Sequence, residues 1–420
     1  LWYGLMVFLC KLGSRRQADY DLRDLETHVL ANLNRLAGTA QETLPVHKTL
    51  DHFLSHVGAE PLAGLRTLLV RRLLRMKALD DSRLEGHWVV ALDGTGHLAF
   101  HRRHCPRCLV RRHDETTLYL HMLLEAKLVT PSGLALSIGT EFVENPPPGE
   151  SPGSGPAEAR KQDCELGAFP RLALALKRDF PQARLCLCGD ALFACGRVLR
   201  TTRDLDWAYV LTLKPTHMPA VWDEFQRLLA LVPEQYVRVQ LPDGRTQVYR
   251  WVNGLSYEDE AGQTHVFNAI LCEETSAPSN PGDPPVTTIF SWITGFPVSA
   301  DNVVAIATKG GRHRWTIENQ GFNTQKNGGL NLEHAYSFEG ERIKAYYYLL
   351  QIAHVILQLV EQGSLLRRLA RGVGKTPLQL FGSLRNIARR ILECFRHRRL
   401  PDEAFDLAAA AAIQVRFDSS

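Results

Sequence analysis

The sequence predicts an α/β protein: a mixed five-stranded sheet flanked by helices, with a helical N-terminal region before it and a β-rich insertion within it. Three observations carry that expectation. Helical periodicity fills the first 80 or so residues. Two apolar strand-like runs, residues 88–93 and 184–190, each end in a carboxylate, Asp93 and Asp190. Finally, about 80 residues of alternating, turn-rich chain separate the second acid from a polar helix around Glu318.

The 420 residues, 45% apolar and 22% charged, have the composition of a globular protein with room for two or three domains. A net charge of +4 says little about partners, but arginines cluster at 66–77, 102–112, 312–314 and 367–399, as in a protein that neutralises phosphates in several places. A solvated basic surface is the competing explanation for any one cluster. Nine scattered cysteines suit a reduced, intracellular protein better than a disulfide scaffold. No apolar run reaches the length needed to span a bilayer, and no cleavable leader is evident. The chain opens without Met on an apolar run, as a fragmentary record lacking its first helical turns would.

Residues 1–84 read as a helical region with a possible role in gripping DNA ends; a packing cap is the alternative. One helix is expected over 20–36, where Leu22, Leu25, Val29, Leu30 and Leu33 recur at helical spacing. From Trp88 the period changes. A buried strand tolerates Asp93 only if a metal or partner compensates it, although an Asp before Gly also caps turns. Cys105 and Cys108 form the one close CxxC pair, and His101, His104 and His113 lie nearby. With one or two of these histidines the pair makes half of a tetrahedral Zn²⁺ site, while a loop of unpaired thiols is the default. Residues 119–129 and 135–143 predict a hairpin beside the Asp93 strand, and 145–158 a loop. A helix is expected from Lys161 through Phe180, with Asp163 and Glu165 read as capping and surface charges and, alternatively, as extra site acids. Residues 184–190 then repeat the Asp93 pattern, and 207–214 complete the first part of the core, 85–215. The insertion spans 216–300, with strands near 237–239, 247–251, 266–271 and 287–294.

The last part of the core, 301–365, holds the polar helix and then an apolar core helix over 346–360. Across 312–327 only Trp315, Ile317 and Phe322 are large and apolar, and Trp315 and Phe322 are expected to anchor that helix, with base stacking as the alternative. Arg314 and Glu318 are i and i+4 on one face, a spacing that also suits an ordinary surface ion pair. Residues 366–420 form a basic C-terminal helical region, with one amphipathic helix over 377–399.

Asp93 in Leu-Asp-Gly-Thr, Asp190 in Cys-Gly-Asp-Ala and Glu318 in Arg-Trp-Thr-Ile-Glu together resemble the three carboxylates of the DDE transposases of the IS4-like group, over roughly residues 85–360. That group marks its last acid with Tyr, two residues, Arg, three residues, Glu, six residues, Lys. Arg314 and Glu318 keep this spacing, whereas Gly311 and Gln325 stand at the Tyr and Lys positions and Lys326 lies one place later. The resemblance implies an RNase H-like core and two Mg²⁺ (or Mn²⁺) ions held by Asp93, Asp190 and Glu318. It also implies cleavage at transposon terminal inverted repeats, with strand transfer into target DNA. Arg314, Asn319, Asn323 and Lys326 would contact the DNA. A homodimer on paired ends and a cytoplasmic, nucleoid-associated location in a bacterial or archaeal cell follow from the same resemblance, with no membrane partner. The alternatives are a divalent-metal-dependent nuclease and an inactive DNA-binding remnant.

Overall fold

Residues 89–92 are Val-Val-Ala-Leu, apolar on both faces of a strand, so the sheet that holds them needs cover on both sides. The computed structural model, which describes residues 1–23, 27–113, 116–146, 162–276 and 284–402, supplies it. Strand β1 (Trp88–Phe100) runs antiparallel to β3 (Thr116–Val129) and parallel to β5 (Leu185–Gly189), which in turn runs parallel to β6 (Ala208–Thr212). The far edge of β3 is shared by β2 (Leu109–His113) and β4 (Ala135–Val143), both antiparallel to it. The order β4-β3-β1-β5-β6 is thus a mixed sheet with both acid-bearing strands in its middle.

The sheet does not stop at these five. β6 also pairs antiparallel with β10 (Val286–Thr294), and β9 (Thr264–Ser276), β8 (Thr246–Glu258) and β7 (Tyr236–Gln240) follow, giving one ten-stranded sheet. The β-rich segment expected as an insertion is therefore hydrogen-bonded directly to the core sheet.

The N-terminal region folds as α1 (Trp2–Leu9), α2 (Arg15–Leu22), α3 (Val29–Ala37), α4 (His47–Val57) and α5 (Glu60–Arg75). The single helix expected over 20–36 is instead the end of α2 and all of α3, and Leu25 lies outside the described residues. Ser14 starts α2 by accepting a hydrogen bond from the Gln17 amide at 3.1 Å. In α5, Arg66 is buried and donates to Ser137, Thr140 and the Ile138 carbonyl, so part of the 66–77 basic cluster is internal structure. Helix α6 (Glu165–Asp179) begins after the expected start at Lys161, which is outside the described residues, as is most of the 145–158 loop. α7 (Gly196–Asp204) precedes β6, and α8 (Pro219–Leu231) occupies the opening of the segment read as wholly β-rich. It buries Val221, Phe225 and Leu229, apolar residues at helical spacing.

Residues 303–327 depart most from expectation. A short turn, α9 (Val303–Ala305), leads into a π-helical turn (Ile306–Gly311), a 3₁₀ turn (Arg312–Arg314), a second π-helical turn (Ile317–Asn323) and α10 (Thr324–Asn327). Glycines set its approach to the sheet. A Cβ on Gly310 would lie 2.7 Å from Val210 of β6, and one on Gly311 would overlap the Trp292 indole of β10. Ile317 and Phe322 are buried, but Trp315, expected as a core anchor, is 56% exposed. The changes of winding between 312 and 323 remove the common face that a regular helix would have given Trp315 and Phe322.

α11 (Gly340–Gln362) crosses the sheet and packs against α1, α4 and α5. Contrary to the sequence reading, the helical stretch 340–371, which includes α12 (Ser364–Arg371), is long and apolar enough to cross a membrane by length and composition; 69% of its apolar window is buried inside the protein. The single helix expected over 377–399 is α13 (Pro377–Phe381) and α14 (Leu384–His397), divided at Gly382, whose φ of +73° lies in the left-handed region. α14 docks on α3, where the buried Asn32 amide donates to the carbonyls of Phe395 and Arg398 at 2.8 Å each. Residues 403–420, including the Ala-rich tail, lie outside the described residues.

Two glycines give opposite expectations. Gly311→Ala forces a methyl group into Trp292 and is expected to destabilise the protein by about 1–3 kcal/mol. Gly64→Ala, in the interior of α5 with nothing within 4 Å of the added carbon, is expected to stabilise it by roughly 0.5–1 kcal/mol. Urea unfolding of the two variants against wild type measures both.

A candidate carboxylate active site

β1 and β5 are parallel neighbours with Ala91 opposite Cys188, so two residues further on Asp93 and Asp190 arrive level with each other. That is the consequence of two apolar strands ending in acids at the same height. Asp190 also caps the 3₁₀ turn Ala191–Phe193, its Oδ1 accepting from the Leu192 amide at 2.9 Å. Asp93 Oδ1 accepts from the Gly94 amide at 3.0 Å. Each acid thus makes the local turn contact that the alternative explanation requires, and also faces the same site.

The third acid is reached through arginine. Arg314 Nη1 lies 2.6 Å from Glu318 Oε1 and 3.8 Å from Asp93 Oδ2, with the Arg314 side chain only 12% exposed. An ordinary surface ion pair would leave both partners in water; here a mostly buried guanidinium links the polar segment to β1.

A fourth acid joins them. Glu165, read from sequence first as a surface or capping charge and alternatively as an extra site acid, begins α6 with its carboxylate against Gly94, where a Cβ would overlap it. Its own pKa is raised, first by burial and then by Asp190. Its place in a first helical turn favours the capping reading over the site-acid one, because first-turn acids commonly serve only the helix dipole. Asp163 remains structural, paired with Arg171 at 2.6 Å. Burial pushes the Asp93 carboxyl up to about 7. Arg314 opposes that rise, and Glu318, Glu165 and Asp190 add to it.

Such a site is short of positive charge, and all its donors are hard carboxylate oxygens, the set that suits Mg²⁺ or Mn²⁺. The donor chemistry of Asp93, Asp190 and Glu318 therefore fits the ions expected from the sequence, with Glu165 as an additional candidate ligand.

The two departures from the sequence signature have physical explanations. Gly311 cannot carry a side chain because Trp292 fills that space. Gln325 is fully buried and donates to Gln351 at 2.8 Å, whereas Lys326 is half-buried and pairs with Glu333 at 2.8 Å. A π-helical turn closed by i→i+5 bonds takes up one residue more than an α-turn, so the residue displaced by one place is the one left facing outward. Asn319 and Asn323 are exposed on the same segment, with Asn323 Oδ1 accepting from Asn327 at 2.7 Å. Arg312 is committed elsewhere, 3.0 Å from Glu274 and stacked over Phe290, which ties the segment to β9 and β10.

No protein-family model matches the chain, and no curated protein matches it.

The charge shortage makes a sign prediction. Because the folded pKa of Asp93 is raised, its contribution to stability without divalent cations falls as pH rises from about 4 to 7, and the cost is fully present above pH 7. At pH 7.5 in chelator, Asp93→Asn should therefore be more stable than wild type by on the order of 1 kcal/mol or more. Millimolar Mn²⁺ should raise the wild-type melting temperature and leave that of Asp93→Asn nearly unchanged; thermal unfolding with and without Mn²⁺ reads both.

Proposed function

We propose that the protein is a DNA transposase that cuts at transposon ends and joins them to target DNA by hydrolysis and transesterification of phosphodiesters. The observation that carries this reading is the convergence of Asp93 and Asp190, level on adjacent parallel strands, with Glu318 held to Asp93 through Arg314. The mixed sheet β4-β3-β1-β5-β6, flanked by helices, supports an RNase H-like core, with the remaining strands extending it.

Asp93, Asp190 and Glu318 would hold two Mg²⁺ (or Mn²⁺) ions. When bound, the ions supply the positive charge that activates a water or a 3′-OH and stabilises the leaving oxygen. The protein's own residues position the strand. Arg314 has guanidinium donors beside the acids for a phosphate near the scissile bond. Trp315, next to Arg314 in the chain, is exposed and suited to stacking on an unpaired base. Asn319, Asn323 and Lys326 line the outward side of the same segment and would hold the flanking backbone. Arg385, Arg389 and Arg390 are exposed on α14 and would add sequence-independent affinity. In this reading α1–α5 act at least as a packing cap, since α1 is buried against α11. The active form would be a homodimer on paired inverted repeats, working in the cytoplasm on nucleoid DNA.

The test is a strand-transfer assay on inverted-repeat DNA in Mg²⁺. Wild type is expected to give joined products, and Asp190→Asn to lose them by at least about 10²–10³-fold while still binding DNA. Trp315→Ala should lower joining by about 10-fold, as expected for one lost stacking contact. Cleavage without joining by wild type would instead mean a divalent-metal-dependent nuclease, and binding without cleavage an inactive remnant.

A further inference from the structure

A second set of metal-type ligands converges at the other end of the same strand pair. The loop between β1 and β2 carries His104, Cys105 and Cys108, and β3 carries His121 directly opposite Leu98 of β1. The Sγ atoms of Cys105 and Cys108 are 3.1 Å apart, and each lies 3.5 Å from His121 Nε2. His104 completes the group, with Nε2 3.0 Å from His121 Nε2 and Nδ1 3.7 Å from Cys108 Sγ. One ligand atom from each residue falls within 4.8 Å of all the others.

We infer that His104, Cys105, Cys108 and His121 bind one Zn²⁺ in a closed, structural tetrahedral site. Zn–S bonds of about 2.3 Å and Zn–N bonds of about 2.0–2.1 Å make tetrahedral edges of about 3.3–3.8 Å, close to the separations found. The donors are two thiols and two imidazoles without a carboxylate, the set that favours Zn²⁺ and disfavours Mg²⁺. The CxxC pair is legible in the sequence, but the expected partners were any of the nearby histidines, and the fold selects His104 and His121 rather than His101 or His113. His121 lies sixteen residues beyond Cys105 and reaches it only because β3 folds back along β1.

The site would act on the loop it closes. Arg102, Arg103 and Arg107 are exposed on that loop, while Cys108 is fully buried. An ion bound to both the loop and β3 fixes these arginines relative to the sheet that carries Asp93. The inference does not rest on the proposed transposase activity, because its readout is metal content.

Protein purified in reducing buffer without chelator is expected to contain about one zinc per chain by elemental analysis. Cys105→Ser and His121→Ala should each reduce zinc to a small fraction of that, and Cys394→Ser, whose thiol is exposed and distant in sequence, should leave it unchanged. If the ligand variants fail to fold, wild type stripped of zinc and given Co²⁺ answers independently. It should show the intense visible bands of tetrahedral cobalt together with a near-ultraviolet thiolate charge-transfer band. Absence of zinc together with absence of those bands overturns the inference. So does zinc that persists in Cys105→Ser, or a Cys105–Cys108 disulfide found by peptide mass analysis of the purified protein.

Discussion

The position of Glu318 depends on two charged side chains buried beneath it. Glu125 and Lys127 sit two residues apart on one face of β3, both with no solvent exposure. The Glu125 carboxylate accepts hydrogen bonds from Thr140 at 2.9 Å and Tyr347 at 2.6 Å, and also from Ser137. The Lys127 ammonium donates to Gln351 at 3.1 Å, and the same Gln351 oxygen accepts from Gln325. Burial lowers the Lys127 pKa to about 8, with Glu125 opposing the fall. Placing two charges in a core costs several kcal/mol per ion unless every donor and acceptor is satisfied, so α11 must meet β3 in one register. Tyr347, Gln351, His354 and Gln358 form a stripe at helical spacing along α11, and Gln358 reaches β4 by bonding both the amide and the carbonyl of Ala135.

That register is passed to the segment that carries Arg314 and Glu318. The aliphatic stem of Lys127 runs under Gly321, where a Cβ would come within 3.0 Å of it, and its ammonium lies 5.6 Å from the centre of the Phe322 ring. At the other end, Gly310 and Gly311 rest on Val210 and Trp292. The stretch between these two close approaches is too tightly fixed to wind as a regular helix, and its π and 3₁₀ turns absorb the mismatch. Arg314 and Glu318 lie within that constrained stretch, which sets them against Asp93.

What was legible in the sequence follows from what is local. Asp93 and Asp190 stood out because an acid at the end of an apolar strand is visible in six residues, and Glu318 because its neighbours are polar. The strands β1, β3, β4, β5 and β6 and the apolar α11 were legible for the same reason. Glu125 and Lys127 were not: their alternation in β3 reads as a polar face, and only the arrival of α11 buries it. Glu165 and His121 likewise gain meaning from strand and helix placement rather than from spacing. Trp315 reads as a core anchor under regular helical winding and is turned outward by a winding that tertiary contacts impose. The pairing of β10 with β6 joins segments far apart in the chain, and no local pattern in either strand announces it.

Arg314 explains how so many acids coexist. Asp93, Glu165, Asp190 and Glu318 repel one another, and the pKa values of Asp93 and Glu165 are raised first by burial and then by that repulsion. One guanidinium, largely withdrawn from water and within ion-pair reach of both Asp93 and Glu318, offsets part of it. Under the proposed function this arginine has two alternative partners. It neutralises the carboxylates while no other cation does so, and its fork of donors becomes available to a phosphate once they are neutralised by other means. A lysine would supply a similar charge as a single point, without the planar fork that can hold two acids or a phosphate side by side. The constraint at this position is therefore on geometry as much as on charge.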